Sequence, residues 1–245
     1  MTINEQKALL RSRMDALQLT YTQDMVEQLI AYQALLAQWN TRMNLTGDAS
    51  FEALLDRHLM DSLTPLTVDG LLKENAEVID VGSGAGFPGI PLAIVRPDLK
   101  ITLLDSLKKR VGFLDAAADA LELANMRTVH ARAEDAAQDA RYRERFDAAL
   151  ARAVAALPVL LELLLPFVKI GGRSICYKGP SVEEELGAGR TAAGLLGATP
   201  PHIIPLAVPY LPEHRHCLVV DEKRRHTKPY YPRKAGTPSK IPLGI

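Results

Sequence analysis

Over residues 22–39 apolar side chains recur at Met25, Val26, Leu29, Ile30, Leu35, Leu36 and Trp39. That is the three-and-four spacing of a helix with one dry face. Thr22 stands where an N-cap hydroxyl is needed. A weaker pattern of the same period precedes this helix, and another covers 51–66. Residues 1–70 are therefore predicted as a helical N-terminal cap without strands.

Beyond Leu72 the pattern changes. Short β-branched or apolar runs alternate with longer helical stretches, the order of βαβ units around a mostly parallel sheet. Seven strands are predicted, at 77–81, 101–105, 127–131, 146–151, 172–178, 203–208 and 216–222. They make 71–223 an α/β domain with no room for a large insertion and no internal repeat. From Arg224 onward Pro229, Pro232, Pro238 and Pro242 oppose regular structure. Residues 224–245 are predicted as a basic, Pro-rich tail that stays extended or disordered until it meets a partner.

A chain of 245 residues has the length for one catalytic domain with appendages. Its 47% apolar and 24% charged content excludes a fibrous or disordered protein. Formal charge sums to zero, so any affinity for nucleic acid has to come from a local cluster of cations. One exists near the C-terminus: between residues 215 and 240 eight basic residues, including Arg215, Lys223, Arg224, Arg225, Arg233 and Lys234, face two acids. Cys176 and Cys217 each lie in an apolar run and read as buried free thiols. The start of the chain carries no basic-then-apolar signal pattern. The densest apolar stretch, 157–168, is short and interrupted by Pro158, Glu162 and Pro166. A cytoplasmic location is expected.

The strongest local signal is Val78-Ile-Asp-Val-Gly-Ser-Gly-Ala-Gly-Phe-Pro-Gly89, a strand that ends beside an acid and runs into a glycine-rich turn. Gly84 to Gly89 satisfies the GxGxxG dinucleotide fingerprint. Gly82 to Gly86 satisfies GxGxG after Asp80, the pattern of Rossmann-like methyltransferases. Charge separates the two. Asp80 at the mouth of the turn repels a diphosphate but favours the ammonium of a methionine moiety, and S-adenosylmethionine has no phosphate. The glycines admit a ligand close to the backbone, and Pro88 or Pro91 can open the following helix, whose N-terminus can face the methionine carboxylate. The next strand also ends in an acid, Asp105, placed to accept from both ribose hydroxyls. The strand after it leads into Ala133-Glu134, at the expected border of the adenine. Glu134 alone reads equally well as a first-turn helix acid.

These residues resemble a known family, the bacterial small-subunit ribosomal RNA guanine-N7 methyltransferases, also called glucose-inhibited division protein B. The matching segments run from Trp39 to the C-terminus: Trp39-Asn, Asn44-Leu-Thr46, Arg57-His58 with Asp61-Ser62, the glycine loop through Pro91, Leu104-Asp-Ser106 with Lys109-Arg110, Arg132-Ala-Glu134, Ala151-Arg-Ala153, Tyr177-Lys-Gly179 and the tail Tyr231 to Lys240. The resemblance implies a Rossmann-like class I S-adenosylmethionine-dependent methyltransferase with a mixed seven-stranded sheet. It implies that Gly82, Phe87, Ala133, Glu134 and Arg152 line the cofactor site. Asp80, Ser83, Gly84, Gly86, Asp105 and Ser106 complete the expected set. The implied partner is small-subunit ribosomal RNA or a ribosomal particle, and a monomer is expected.

Guanine N7 carries an in-plane lone pair and no proton, so its methylation needs no general base. The absence of a Ser/His/Asp or paired-carboxylate constellation agrees with catalysis by positioning, and no catalytic acid or base is assigned. N7 lies on the major-groove edge, which side chains cannot reach in A-form RNA, so the target guanine should be unpaired or splayed out. Arg152 is placed to reach guanine O6 or a phosphate, or alternatively to pair with Asp80 or Glu134. Arg57, His58, Lys178 and the basic residues from Arg215 through Lys234 are the expected RNA contacts, although His58 could equally cap a helix. His214, His216 and His226 read as solvated residues, and no metal is expected. Three other functions compete: a methyltransferase acting on a small metabolite, a dinucleotide oxidoreductase, and a noncatalytic RNA-binding module on the same fold.

Overall fold

The computed structural model describes residues 1–152, 155–211 and 216–245. Helices α1 (Ile3–Ala16) and α2 (Gln23–Asn40) begin at Thr2 and Thr22, whose side chains accept from the backbone N–H three residues on. Satisfying these otherwise orphaned donors fixes where each helix starts. After them comes a continuous helical stretch of changing pitch: α3 (Phe51–Ala53), a π-helical turn (Leu54–Leu59), α4 (Met60–Leu63) and a 3-10 turn (Thr64–Thr67).

Seven strands form one sheet: β1 (Glu77–Val81), β2 (Lys100–Asp105), β3 (Met126–His130), β4 (Phe146–Arg152), β5 (Val168–Lys178), β6 (His202–Pro205) and β7 (Cys217–Glu222). Their order is β3-β2-β1-β4-β5-β7-β6. β1 to β5 are parallel, and β7 enters antiparallel between β5 and β6. Because the chain returns to β4 on the far side of β1, the loops after β1 and β4 lie beside a topological switch point, where open α/β sheets bind ligands. Helices α5 (Gly89–Val95), α6 (Lys108–Ala120), α7 (Ala133–Ala136), α8 (Leu157–Leu164) and α9 (Val182–Leu196) connect the strands.

Alternation along β1 divides the core into two layers. Val78 joins Ile101 and Leu103 in a layer with α5 and α6, whereas Ile79 and Val81 join Leu104 in a layer with α8 and α9. The N-terminal helices share the first layer: Leu10, Met14, Val26, Leu29 and Leu36 are buried in it, and Trp39 meets Phe113 edge-on at 5.5 Å. Among the described residues no helix is long and apolar enough to cross a membrane. Cys176 and Cys217 are buried free thiols.

The C-terminal segment overturns the expectation of a disordered tail. It packs back on the domain, buries Tyr231 and Leu243, and carries a short helix, α10 (Thr237–Lys240), opened by Pro238 near its N-terminus. Lys223 is corrected as well. Its side chain is wholly buried, and Nζ donates to the carbonyls of Leu165 (2.6 Å) and Val168 (3.3 Å) and to Thr227 Oγ1 (2.6 Å), with Glu144 Oε1 at 3.3 Å. A lysine without solvent contact is unavailable to a phosphate. Burial lowers its pKa to about 8.

Lys223→Met should cost about 2–4 kcal/mol, because it leaves the Leu165 and Val168 carbonyls and the Thr227 hydroxyl without their buried donor and takes one of three partners from Glu144, which keeps His226 and the Thr227 N–H. The urea midpoint of the variant measures this; a midpoint within error of the parent's would refute the structural role.

Candidate functional site

The glycine loop follows β1. Gly82 and Ser83 donate their N–H groups to the Leu104 carbonyl at 2.8 and 3.2 Å, and the Ser83 hydroxyl donates to the Asp80 carbonyl at 2.9 Å. Gly82, Gly84 and Gly86 all have positive φ (78°, 59° and 92°), a region that side-chain-bearing residues avoid. At Gly86 a Cβ would also lie 2.4 Å from Ile90 Cδ1, whereas at Gly84 the nearest atom is Gly82 O at 3.8 Å. The backbone at Gly84 is thus open to a ligand.

Two carboxylates govern the loop. Asp80 is completely buried; Oδ2 accepts from the Gly89 N–H at 3.0 Å, and Oδ1 has no partner. Burial pushes its pKa up to about 7 despite that bond. Asp105, at the end of β2, accepts from the Gly84 N–H (2.9 Å) and the Leu107 N–H (2.8 Å), with Arg110 at 3.6 Å. It therefore clamps the loop through the backbone in addition to any contact with a ribose. Ser106 is exposed, and its carbonyl lies 3.2 Å from His130 Nε2.

The helical cap reaches the same loop. Tyr32, buried in α2, donates its hydroxyl to the Ala85 carbonyl at 2.6 Å and meets Phe87 edge-on at 5.4 Å. His58 stacks on Phe87, with ring centroids 5.1 Å apart, and the Arg152 guanidinium lies 5.0 Å from the Phe87 centroid. Arg152 donates to Asp61 Oδ2 (3.0 Å), to the Arg57 carbonyl (3.2 Å) and to His58 Nδ1 (2.8 Å). A nitrogen that accepts from an arginine must be unprotonated, so His58 is neutral and its Nε2–H points to Thr46 Oγ1 at 3.2 Å. Burial, reinforced by the nearby Arg152 charge, lowers the His58 pKa to about 4. The π-helical turn and the α4 turn that continues it bring three of these groups, Arg57 O and His58 from the first and Asp61 from the second, onto one guanidinium. Turns of the π type recur at functional sites because they re-aim side chains within a helix.

Neither carboxylate expected to pair with Arg152 does so: the partner is Asp61, not Asp80 or Glu134. Glu134 instead accepts from the Gly236 N–H at 2.9 Å, and Ala133 beside it is half-buried. Arg152 also faces a cavity of about 650 Å³ lined by Arg57, His58, Asp61, Tyr177, Lys178 and His216 among others. Lys178 is held at its rim by Glu185 (2.8 Å) and the Ala155 carbonyl (3.3 Å). Arg57 is exposed.

His216 Nδ1 lies 3.1 Å from Asp61 Oδ1, and that bond raises the His216 pKa. Sequence reasoning treated His216 as a solvated strand residue and gave Asp61 no role. The available signal was spacing: His58 and Asp61 are three apart, neighbours on a helical face. Arg233 is drawn inward to Glu162 through Nε and the terminal nitrogen at 2.6–3.2 Å, and the Glu162 carboxylate is fully buried. His226 pairs with Glu144. Arg224, Arg225 and Lys234 are exposed, Arg224 beside Glu222. Arg215 and His214 fall outside the described residues.

A sheet of this order, with a GxGxG turn after an acid-bearing β1 and a second acid ending β2, defines a Rossmann-like class I S-adenosylmethionine-dependent methyltransferase. Solved structures agree in fold. A predicted O-methyltransferase from Agrobacterium tumefaciens aligns with a TM-score of 0.51 at 18% identity, over 66% of this chain and 80% of that one. A 16S rRNA (adenine-N1)-methyltransferase from Catenulisporales acidiphilia, crystallised with its cosubstrate S-adenosylmethionine, aligns with a TM-score of 0.50 at 14% identity, over 62% and 87%.

The chain belongs to the GidB family, rRNA small subunit methyltransferase G, whose model matches residues 25–211. The ribosomal RNA small subunit methyltransferase G of Alkaliphilus metalliredigens is 44% identical over 98% of this chain and 99% of its own length. That of Acetivibrio thermocellus is 45% identical over 90% and 89%.

Tyr32→Phe removes the hydroxyl that donates to the Ala85 carbonyl. It should cost about 1–2 kcal/mol of stability and raise KM for S-adenosylmethionine while leaving KM for RNA alone. Steady-state kinetics against each substrate separate the two; a rise in the RNA KM instead would detach Tyr32 from the loop.

Proposed function

We propose that this protein transfers a methyl group from S-adenosylmethionine to N7 of a guanine in small-subunit ribosomal RNA. The observation that carries the reading is the unmet oxygen of Asp80. An ionised, completely buried carboxylate with one free oxygen is costly, and a cationic ligand group beside the loop is what would relieve it. The sulfonium nucleoside fits the residues present: an ammonium toward Asp80, directly or through water, backbone approach at Gly82, Gly84 and Gly86, ribose toward Asp105, and adenine bordered by Ala133 and Glu134. A diphosphate fits none of this electrostatically.

When bound, the cofactor supplies an electrophilic methyl group. The chain's own residues then have to orient and enclose. Phe87, in contact with both Tyr32 and His58, forms an apolar wall, and the 650 Å³ cavity beyond Arg152 has room for a splayed base. Arg152 presents its guanidinium there as a fixed donor, oriented by Asp61 and the neutral His58. No residue is needed to take a proton from N7. Exposed cations, Arg57 on the cap and Arg224, Arg225 and Lys234 after β7, supply phosphate contacts.

Transfer of labelled methyl from S-adenosylmethionine to small-subunit RNA lacking its native modifications tests the function directly. Nuclease digestion should return the label as 7-methylguanosine. Label in any other nucleoside, or none with a metabolite accepting it instead, rejects the proposal.

Asp80 adds a pH signature. Its folded pKa lies above the unfolded value, so the ligand-free carboxyl stays protonated up to about pH 7. Cofactor binding then requires proton loss below pH 7 and none above it. Affinity should rise with pH by up to about tenfold per unit between roughly pH 5.5 and 7, with proton release visible by calorimetry in buffers of different ionisation enthalpy. Asp80→Asn should bind more weakly at pH 7.5 and lose the slope; an Asp80→Asn protein that keeps the slope refutes the assignment.

A further inference from the structure

The stretch that follows β3 grips the C-terminal segment at successive positions. Glu134 Oε1 accepts from the Gly236 N–H at 2.9 Å. Gln138 Nε2 donates to the carbonyls of both Pro229 and Pro232 at 3.1 Å. Arg143 donates to the carbonyls of Thr227 (2.9 Å) and Tyr231 (2.8 Å), and also to Ala137 at the end of α7 (2.9 Å). The C-terminal segment is itself anchored on the opposite side, by the Arg233–Glu162 pair to α8. One oxygen of Glu162 also takes the Arg233 backbone N–H at 2.9 Å.

These bonds matter because α7 cannot hold itself. It has four residues, far below the length at which a helix is stable alone, and β3 before it is an edge strand with no fully buried residue. Its dry side, Ala136 and Ala137, is two methyl groups. Ala133 adds only a partly buried methyl to that packing, so the polar contacts to residues 227–236 are the directional restraint on the position of Ala133 and Glu134.

We propose that the C-terminal segment is a brace for the adenine side of the cofactor site. Glu134 and Gln138 act as positioning residues that transmit the anchorage at Glu162 to α7. The inference rests on the reading that Ala133 and Glu134 border S-adenosylmethionine. It assigns the backbone of residues 227–236 to the cofactor side and leaves phosphate contacts to the exposed side chains there and before it, Arg224, Arg225 and Lys234, which agrees with Lys223 and Arg233 being spent inside the protein.

The test uses the full chain and two mild substitutions outside the cofactor site: Gln138→Ala, at an exposed residue, and Arg233→Lys, which keeps the charge but loses the two-pronged contact. Each should weaken S-adenosylmethionine binding by about tenfold, since small misplacements of a binding element have effects of that order or larger. KM for the cofactor should rise, with kcat and the RNA affinity measured without cofactor unchanged. In a Glu134→Ala background Gln138→Ala should add no further loss, because both act through α7.

Several results would overturn the brace. Cofactor affinity equal to the parent's in both variants does so, as does RNA affinity that falls while cofactor affinity holds. Full additivity with Glu134→Ala does the same. If Arg233→Lys fails to fold, Gln138→Ala decides alone. A parent protein that binds S-adenosylmethionine and a Glu134→Ala protein that binds it equally well defeat the brace but leave the methyltransferase reading intact. A parent that binds none defeats both.

Discussion

A carboxylate shut away from water at the end of β1 sets the terms for the rest of this molecule. Asp80 has one oxygen on the Gly89 N–H and one with no partner. Ionised and unrelieved, it would cost several kcal/mol, so the ligand-free protein keeps it protonated toward neutrality. The bond to Gly89 also fixes how α5 leaves the loop, and a Cβ at Gly89 would lie 2.1 Å from Leu103 Cδ2 and 3.0 Å from Asp80 Oδ2. Only glycine lets the helix start so close to the acid. Cofactor recognition and the packing of β1 against α5 therefore depend on the same few atoms.

Three distant parts of the chain converge on this loop. The cap supplies Tyr32 and His58, the β4 end supplies Arg152, and the β2 end supplies Asp105. Phe87 is where most of them meet: an edge contact, a stacked ring and a cation surround one apolar side chain. The arrangement leaves Arg152 oriented but compensated by Asp61, so the acceptor cavity is polar without being a strong anion trap. RNA attraction has to arise farther out, at exposed cations, which suits a protein whose charges sum to zero.

Strand positions were legible because each strand of a covered sheet is a short apolar run between turn signals; β1 was predicted at 77–81 and occupies Glu77–Val81. The glycine loop was legible for a related reason, since positive φ at three near-successive positions restricts the residue type. What the sequence concealed were single long-range contacts. Lys223 lies among arginines and reads as surface charge, but β7 carries it into a ring of carbonyls, 55 and 58 residues away in sequence. The prolines after Arg224 correctly oppose long helices and strands, yet irregular backbone can still be ordered when partners such as Gln138 and Arg143 take up its carbonyls. Asp61 was hidden for the same reason: its importance lies in Arg152 and His216, 91 and 155 residues distant.

The central claim is that the turn beside Asp80 receives a sulfonium nucleoside. A crystal structure of the protein with S-adenosylmethionine tests it most directly. The account predicts the methionine ammonium within about 3 Å of Asp80 Oδ1 or of a single water bridging to it, with the ribose over Asp105 and the adenine against Ala133. Cofactor density elsewhere on the sheet, or a loop that closes Asp80 off from the bound ligand, would contradict it.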